Sequence, residues 1–222
     1  MSISSIDRVD KPWGYEFRII LGPSLTLTYL TIFVNSQTSL HCHPRKTTSL
    51  TAIAGKGRIN FLKDGIDFSA GTSFMVRNGL FHQISNVGIN NLIVLEFENP
   101  SDARDLVRLE DDYGRRLESY EDKSDLNNIS EAEEDFFFQI THGGAWSNHE
   151  TEIDVIEPTS KIVTFENEAV YAVLEGGLRD KLSNSLILRE GDCTTNLTIR
   201  RLINHFDWDS GTRLLQIKKK IS

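Results

Sequence analysis

Ser39-Leu-His-Cys-His-Pro-Arg-Lys-Thr-Thr-Ser-Leu-Thr-Ala-Ile-Ala-Gly55 and, further on, Gly71-Thr-Ser-Phe-Met-Val-Arg-Asn-Gly-Leu-Phe-His-Gln-Ile-Ser-Asn86 are the stretches that decide the fold. In a strand, side chains at i and i+2 leave the same face, so His41 and His43 can point together into one interior. His82, carried on a later strand paired with the first, would complete a facial cluster of three imidazoles. Three neutral ring nitrogens can hold a divalent transition metal (Zn, Fe, Mn or Ni) and leave positions open for substrate. Three of the six histidines in the chain lie here. Cys42 alternates to the opposite face and is not counted as a ligand.

Outward from these stretches the pattern is that of short strands. Leu25 to Val34 alternates with β-branched residues, and Thr47 to Ile53 forms a second strand stopped by Gly55-Lys-Gly57. Arg58 to Leu62 pairs with Ile66 to Phe68 across Lys63-Asp-Gly65 as a hairpin. Ser73 to Val76, Phe81 to Ile84 and Asn91 to Phe97 follow, separated by Gly and Asn turns. Many short strands without a long helical period imply an all-β sandwich or jelly-roll barrel. The 222 residues have room for one large or two small domains, with 39% hydrophobic and 25% charged residues. A net charge of −8 argues against a nucleic-acid surface, which needs clustered Lys and Arg. The basic stretch Lys218-Lys-Lys220 reads as solvated. No signal peptide or apolar run of membrane-spanning length is seen, so no membrane partner and a cytoplasmic location are expected. Two cysteines in separate halves do not make a disulfide framework.

The two histidine stretches resemble the paired motifs of the cupin superfamily. Gly71, Gly79, His82 and Asn86 fall on the second motif, with Arg77 where proline usually stands; His41, His43 and Gly55 fall on the first. The glutamate of the first motif is Thr48 here. Lys11-Pro-Trp-Gly-Tyr15 and Val107-Arg-Leu-Glu-Asp-Asp-Tyr-Gly-Arg115 are similar to the flanks of the C-terminal cupin domain of type II mannose-6-phosphate isomerases. The likeness covers roughly residues 8 to 117. The nucleotidyltransferase portion of those isomerases has no counterpart in this sequence, so guanylyl transfer is not implied.

Residues 118 to 135 are polar and acidic, a linker or short exposed helix, and the domain boundary is placed near residue 120. Beyond it, strands are expected at Phe136 to Ile140, Thr151 to Ile156, Lys161 to Phe165, Val170 to Leu174 and Leu186 to Leu188. Tyr171-Ala-Val-Leu-Glu-Gly-Gly177 and Leu188-Arg-Glu-Gly-Asp192 echo the two motifs without their histidines. The resemblance therefore implies tandem cupin (jelly-roll, double-stranded β-helix) barrels. Residues 1–120 would carry the three-histidine site and residues 121–222 a degenerate barrel without one, with Asp105 to Arg116 crossing between them. His142, His149 and His205 match no ligand spacing. Trp13 and Trp146 are buried plugs or, less readily, sugar-stacking platforms.

A metal on His41, His43 and His82 would polarise a carbonyl, and an aldose–ketose isomerase also needs a base. Glu96, within Leu92-Ile-Val-Leu-Glu-Phe97, is the candidate base if it faces the interior, where burial raises its pKa; a solvent-facing Glu96 is the alternative. Lys46, Arg77 and Arg45 suit a phosphate or carboxylate on a substrate. The likeness implies a metal-assisted isomerase or epimerase of sugar phosphates or nucleotide sugars. A non-catalytic carbohydrate-binding bicupin and a three-histidine Fe(II) dioxygenase are the alternatives. Partners would be small carbohydrates or sugar phosphates; a homodimer is an option the sequence does not decide.

Overall fold

The computed structural model of the protein describes residues 6–114, 128–158 and 168–220. The first half comprises β1 (Arg8–Lys11), β2 (Gly14–Leu21), β3 (Thr26–Ile32), β4 (Leu40–Cys42), β5 (Thr47–Ala54), β6 (Lys56–Asn60), β7 (Gly65–Ser69), β8 (Ser73–Val76), β9 (Gln83–Asn86), β10 (Leu92–Asn99) and β11 (Val107–Glu110). One sheet runs β1-β2-β3-β10-β5-β8 and the facing one β7-β6-β9, with β4 and β11 forming a short ribbon at the mouth. Every strand pair is antiparallel. Isolated bridges from Gln37 to Ser85 and from His41 to His82 tie the ribbon to β9 and its approach, closing a jelly roll. The expected all-β jelly roll is therefore what the chain forms.

The period of two gives the large sheet two different faces. In register, Glu98, Glu96 and Val94 of β10 lie opposite Thr26, Thr28 and Leu30 of β3 and Thr48, Leu50 and Ala52 of β5. This inner face grades from an apolar floor of Leu30, Leu50, Ala52 and Val94, packed against Ile59 and Phe68 of the facing sheet, to a polar rim. The outer face, with Phe17, Leu27, Tyr29, Leu95 and Phe97, is buried as well, because it packs against the second half. All seven residues of β3 are accordingly buried. Gly55, which ends β5, has φ of 84°, and a Cβ there would stand 2.7 Å from the Asn91 carbonyl oxygen, so glycine is required at that turn.

The second half comprises α1 (Glu131–His142), β12 (Ala145–Ser147), β13 (Thr151–Ile156), β14 (Ala169–Glu175), β15 (Gly177–Arg179), β16 (Leu186–Arg189), β17 (Cys193–Thr195), α2 (Asn196–Leu202), β18 (Asp207–Trp208) and β19 (Arg213–Lys219). Its sheets run β12-β13-β19-β14-β17 and β16-β15-β18. Ile153, Val170, Ala172, Leu215 and Ile217 join Phe136 and Ile140 in the core shared with the first half. Polar fastenings flank it: Asn148 Nδ2 and Thr151 Oγ1 donate to the Ile53 carbonyl at 3.0 and 2.9 Å, and Tyr15 donates to Glu133 at 2.7 Å.

Several expectations are corrected. Phe136 to Ile140 is helix, not strand. Ser130 and Glu133 form a reciprocal capping box, Gly143 closes the far end in the left-handed region, and Phe136 and Ile140 share the buried face. Nucleation by the cap overrides the β propensity of three consecutive phenylalanines; Phe138 instead points outward and stacks on His142. The Lys218–Lys220 stretch is not a free tail. It finishes β19, the central strand between β13 and β14, where Lys218 lies 3.6 Å from Asp154 and Lys220 donates to the Asn148 carbonyl. Of the segment expected to cross between the halves, Val107–Glu110 pairs with β4 over the site, and Arg115 and Arg116 lie outside the described residues. The β6–β7 hairpin turns over Phe61 to Asp64 rather than Lys63 to Gly65, with Phe61 N–H donating to the Asp64 carbonyl at 2.7 Å. The boundary at residue 120, most of the acidic run and the strand expected at Lys161 to Phe165 lie outside the described residues. No helix among the described residues is long and apolar enough to cross a membrane.

Candidate metal centre

His41 sits in β4, clamped on both sides: it pairs with Arg108 of β11 and exchanges two backbone bonds, of 3.0 and 2.8 Å, with His82. His43 follows the strand, and its carbonyl is held by the Gly79 N–H at 2.8 Å. Gly79 adopts φ of 74°, so the turn that delivers His82 favours glycine. The three rings converge, with centroids 4.6, 5.0 and 5.7 Å apart, and their ligand nitrogens lie within 4.8 Å of one another. Each Nδ1 donates to a backbone carbonyl: His41 to Ser39 at 2.8 Å, His43 to Asp105 at 2.6 Å and His82 to Leu80 at 3.0 Å. A carbonyl can only accept, so Nδ1 carries the proton and each Nε2 keeps its lone pair. His82 Nε2 is buried with no hydrogen-bond partner. Such an orphan is costly unless something else engages it, and the donor set fits a divalent transition metal.

Electrostatics keeps these rings neutral. Burial, then the proximity of His82 and His43, pushes His41 well below the ordinary value of 6.5. Burial and Lys46 take His43 down to about 4, and burial, with a smaller push from His43, takes His82 down to about 4 as well. The rings are therefore available as ligands across the neutral range without having to shed a proton.

His41 and His43 line a cavity of about 270 Å³. Trp13, Leu30 and Ile84 give it an apolar wall; Lys46, Glu96, Glu98 and Arg108 give it charge. Glu96 faces this interior, and burial followed by the neighbouring Glu98 charge raises its carboxyl well above the usual range. Lys46 is buried and donates to Glu98 at 2.6 Å, while Glu98 lies 3.6 Å from His43 Nε2. Two groups of described residues can hold a metal ion: His41, His43 and His82, and His43 with Glu96 and Glu98. Arg77 stands apart. It follows the last residue of β8, is exposed on the turn before Gly79, and does not line the cavity. Arg45 is a rim residue bound to Asp102 and Asp105. Cys42 is buried opposite its neighbours. Trp13 and Trp146 both pack into cores, Trp13 also bordering the cavity. His142, His149 and His205 are exposed and far apart in role: one stacks on Phe138, one meets Glu150 and one edges Phe206.

Sequence reasoning missed Glu98, Asp105 and Arg108. Glu98 had a signal, since it is two residues beyond Glu96 and so shares its face. Asp105 had none: its carboxylate accepts from the backbone N–H groups of Arg45 and Lys46 at 2.9 and 2.8 Å, fixing the loop after His43. Burial works to raise that carboxyl, but these bonds outweigh it and hold it below the usual range. Thr48 is fully buried beside the site, and its Oγ1 has no hydrogen-bond partner.

The strand order and the facing histidine segments make the first half an all-β jelly roll, a double-stranded β-helix. No family model and no curated protein matches the chain. Among solved structures, it is similar to an uncharacterized conserved protein with a double-stranded β-helix domain from Klebsiella pneumoniae, at 16% identity and a TM-score of 0.43 over 47% of this chain and 85% of that one. It is also similar to the capsular polysaccharide assembling protein CapF from Staphylococcus aureus, at 20% identity and 0.43 over 48% of this chain and 34% of CapF. An oxalate decarboxylase formate complex from Lactobacillus farciminis gives 19% and 0.43 over 47% of this chain and 33% of that one. The match thus spans about a third of the length of the latter two.

Proposed function

We propose that the first half of this chain is a metal-dependent isomerase or epimerase acting on a sugar phosphate or nucleotide sugar. The observation that carries this reading is a cluster of three convergent histidines, two of which line one cavity together with an inward-facing carboxyl on Glu96. A divalent metal on His41, His43 and His82 would supply the Lewis acid that polarises a substrate carbonyl. Glu96 then has the protein's own part: as carboxylate it takes the proton from the carbon next to that carbonyl, and as carboxyl it returns it to the neighbouring position. Its raised pKa brings the two forms closer in energy near neutrality than for an exposed carboxylate. Lys46 and Arg108 offer positive charge to an anionic substrate group, and the Trp13 and Leu30 wall excludes water from the far side. The division into a site-bearing unit of residues 1–120 and a second, metal-free jelly-roll unit of residues 121–222 belongs to the same proposal, as does a cytoplasmic setting.

The test is turnover by untagged, metal-reconstituted protein against a panel of hexose and heptose phosphates, followed as aldose–ketose interconversion. Conversion that is lost in Glu96→Gln with metal content retained supports the reading. Saturable binding of the same sugars without conversion supports instead a non-catalytic carbohydrate-binding protein, the reading favoured by the internal pairing of Lys46 with Glu98.

A further inference from the structure

We propose that Glu98 supplies the anionic ligand of the metal centre, reaching it from β10 across the ladder from Thr48. This rests on the three-histidine metal site proposed above. The β5–β10 register sets Glu98 directly opposite Thr48, and residues so paired share a face, with Cβ atoms about 4.5–5.5 Å apart. Glu98 Oε1 lies 3.6 Å from His43 Nε2. Two donor atoms each about 2.0–2.2 Å from one ion stand roughly 3–3.5 Å from each other, so Glu98 and His43 are within a few tenths of an ångström of sharing a metal. Glu98 groups with His43 and not with all three histidines, so its side chain must turn further toward His41 and His82 to join their ion. Lys46 Nζ donates to the same Oε1 at 2.6 Å, which uses one of that oxygen's two lone pairs and leaves the other, and the whole of Oε2, for an ion. The same bond orients Glu98 within the cavity. Thr48 suits this arrangement: it is neutral, buried and short, and its Oγ1 takes no protein partner. A second carboxylate there would face Glu98 directly, and like charges so placed repel.

The experiment uses untagged full-length protein, stripped with chelator and titrated with Zn(II), Mn(II), Fe(II) and Co(II). Affinity is read by calorimetry, and coordination by the visible absorption of the Co(II) form. Glu98→Gln should weaken binding by more than the roughly 10–100-fold that loss of a merely supporting partner costs, with an altered Co(II) spectrum. Adding Thr48→Glu to that variant should restore much of the affinity, because the carboxylate returns from the facing strand. Thermal unfolding of the stripped variants shows that they remain folded; should Glu98→Gln not fold, Glu98→Asp keeps the charge beside Lys46 but withdraws the oxygen, and should weaken binding likewise. A Glu98 variant that folds and binds with native affinity and spectrum overturns the assignment while leaving the three-histidine centre intact. A double variant no tighter than the single overturns the shared-face geometry. Native protein that takes up none of the four metals overturns both this inference and the metal reading on which it rests.

Discussion

Replacing Asp105 by alanine removes a single side chain that organises the mouth of the site from behind. Its carboxylate accepts from Arg45 N–H at 2.9 Å, Lys46 N–H at 2.8 Å and Arg45 Nε at 3.2 Å, and Asp105 is only 3% exposed. Each buried N–H left without an acceptor costs about 1–3 kcal/mol. The exposed arginine contact adds little, as surface ion pairs contribute about 0–1 kcal/mol. With water reaching the Arg45 side, Asp105→Ala should lose about 3 kcal/mol of stability, read from urea unfolding of the metal-stripped protein by tryptophan fluorescence. Because the carbonyl of the same residue holds His43 Nδ1 at 2.6 Å, metal affinity should also fall, about 10–100-fold as for other supporting partners. Asp105→Asn keeps one acceptor oxygen and should lose clearly less than alanine. The pH dependence follows from the sign of the shift. A carboxyl held below its ordinary value of 3.8 stabilises the fold above that pH, and the contribution disappears as pH falls through the lower, folded value. The advantage of native protein over Asp105→Asn should therefore shrink on strong acidification. An alanine variant within about 0.5 kcal/mol of native, the size of an ordinary surface substitution, with unchanged metal affinity would refute this account of the loop.

Phe136→Ala should cost about 3–5 kcal/mol, the usual range for a buried aromatic, and the residue belongs to a core drawn from both halves. Native protein should accordingly unfold in one transition by both tryptophan fluorescence and far-ultraviolet circular dichroism; two separated transitions would show that the shared core does not couple the halves. In metal-stripped protein, His43 and His82 titrate at about 4 against an ordinary 6.5. Their depressed values mean that the unfolded chain binds the extra protons, so stability should fall by about 1.4 kcal/mol per ring for each pH unit descended between those values, and histidine proton resonances should titrate well below pH 6. Thr48→Glu on its own should tighten metal binding by less than tenfold, the calorimetric gain being offset by the facing Glu98 charge.

The histidine cluster was legible because its spacing is geometric. A strand repeat of two puts His41 and His43 on one face, and a bridge at His82 needs no more than that the two segments be neighbours. The inward Glu96 was legible as one of two options, and the packing of both sheet faces chose between them: the outer face is filled by α1 and the second-half sheet, which leaves the carboxylates the polar rim of the interior. The helix at Phe136 was hidden because three consecutive aromatics carry strand propensity, whereas the signal that wins, the Ser130–Glu133 box, lies in the acidic run that reads as a linker or a short exposed helix. Arg77 was misplaced for a similar reason. Position along a motif is visible in sequence, but the direction of a side chain at a turn depends on where β8 stops and Gly79 reverses the chain.

Cross-strand register is the quantity that sequence withholds and on which the site most depends. Read along β5 alone, Thr48 is a loss: a hydroxyl in place of a carboxylate, and hence a weak metal site. Read across the ladder, the same residue lies opposite Glu98, with Lys46 anchoring that carboxylate from the loop ahead of β5. The two readings differ by nothing in composition. They differ in whether negative charge is counted along one strand or over the face that three strands share. A ligand field is assembled in space, so a carboxylate on a neighbouring strand can serve a site as well as one on the histidine strand, provided the residue facing it is small and neutral. Thr48 meets that condition opposite Glu98, and Lys46 supplies the positive charge that holds Glu98 in place.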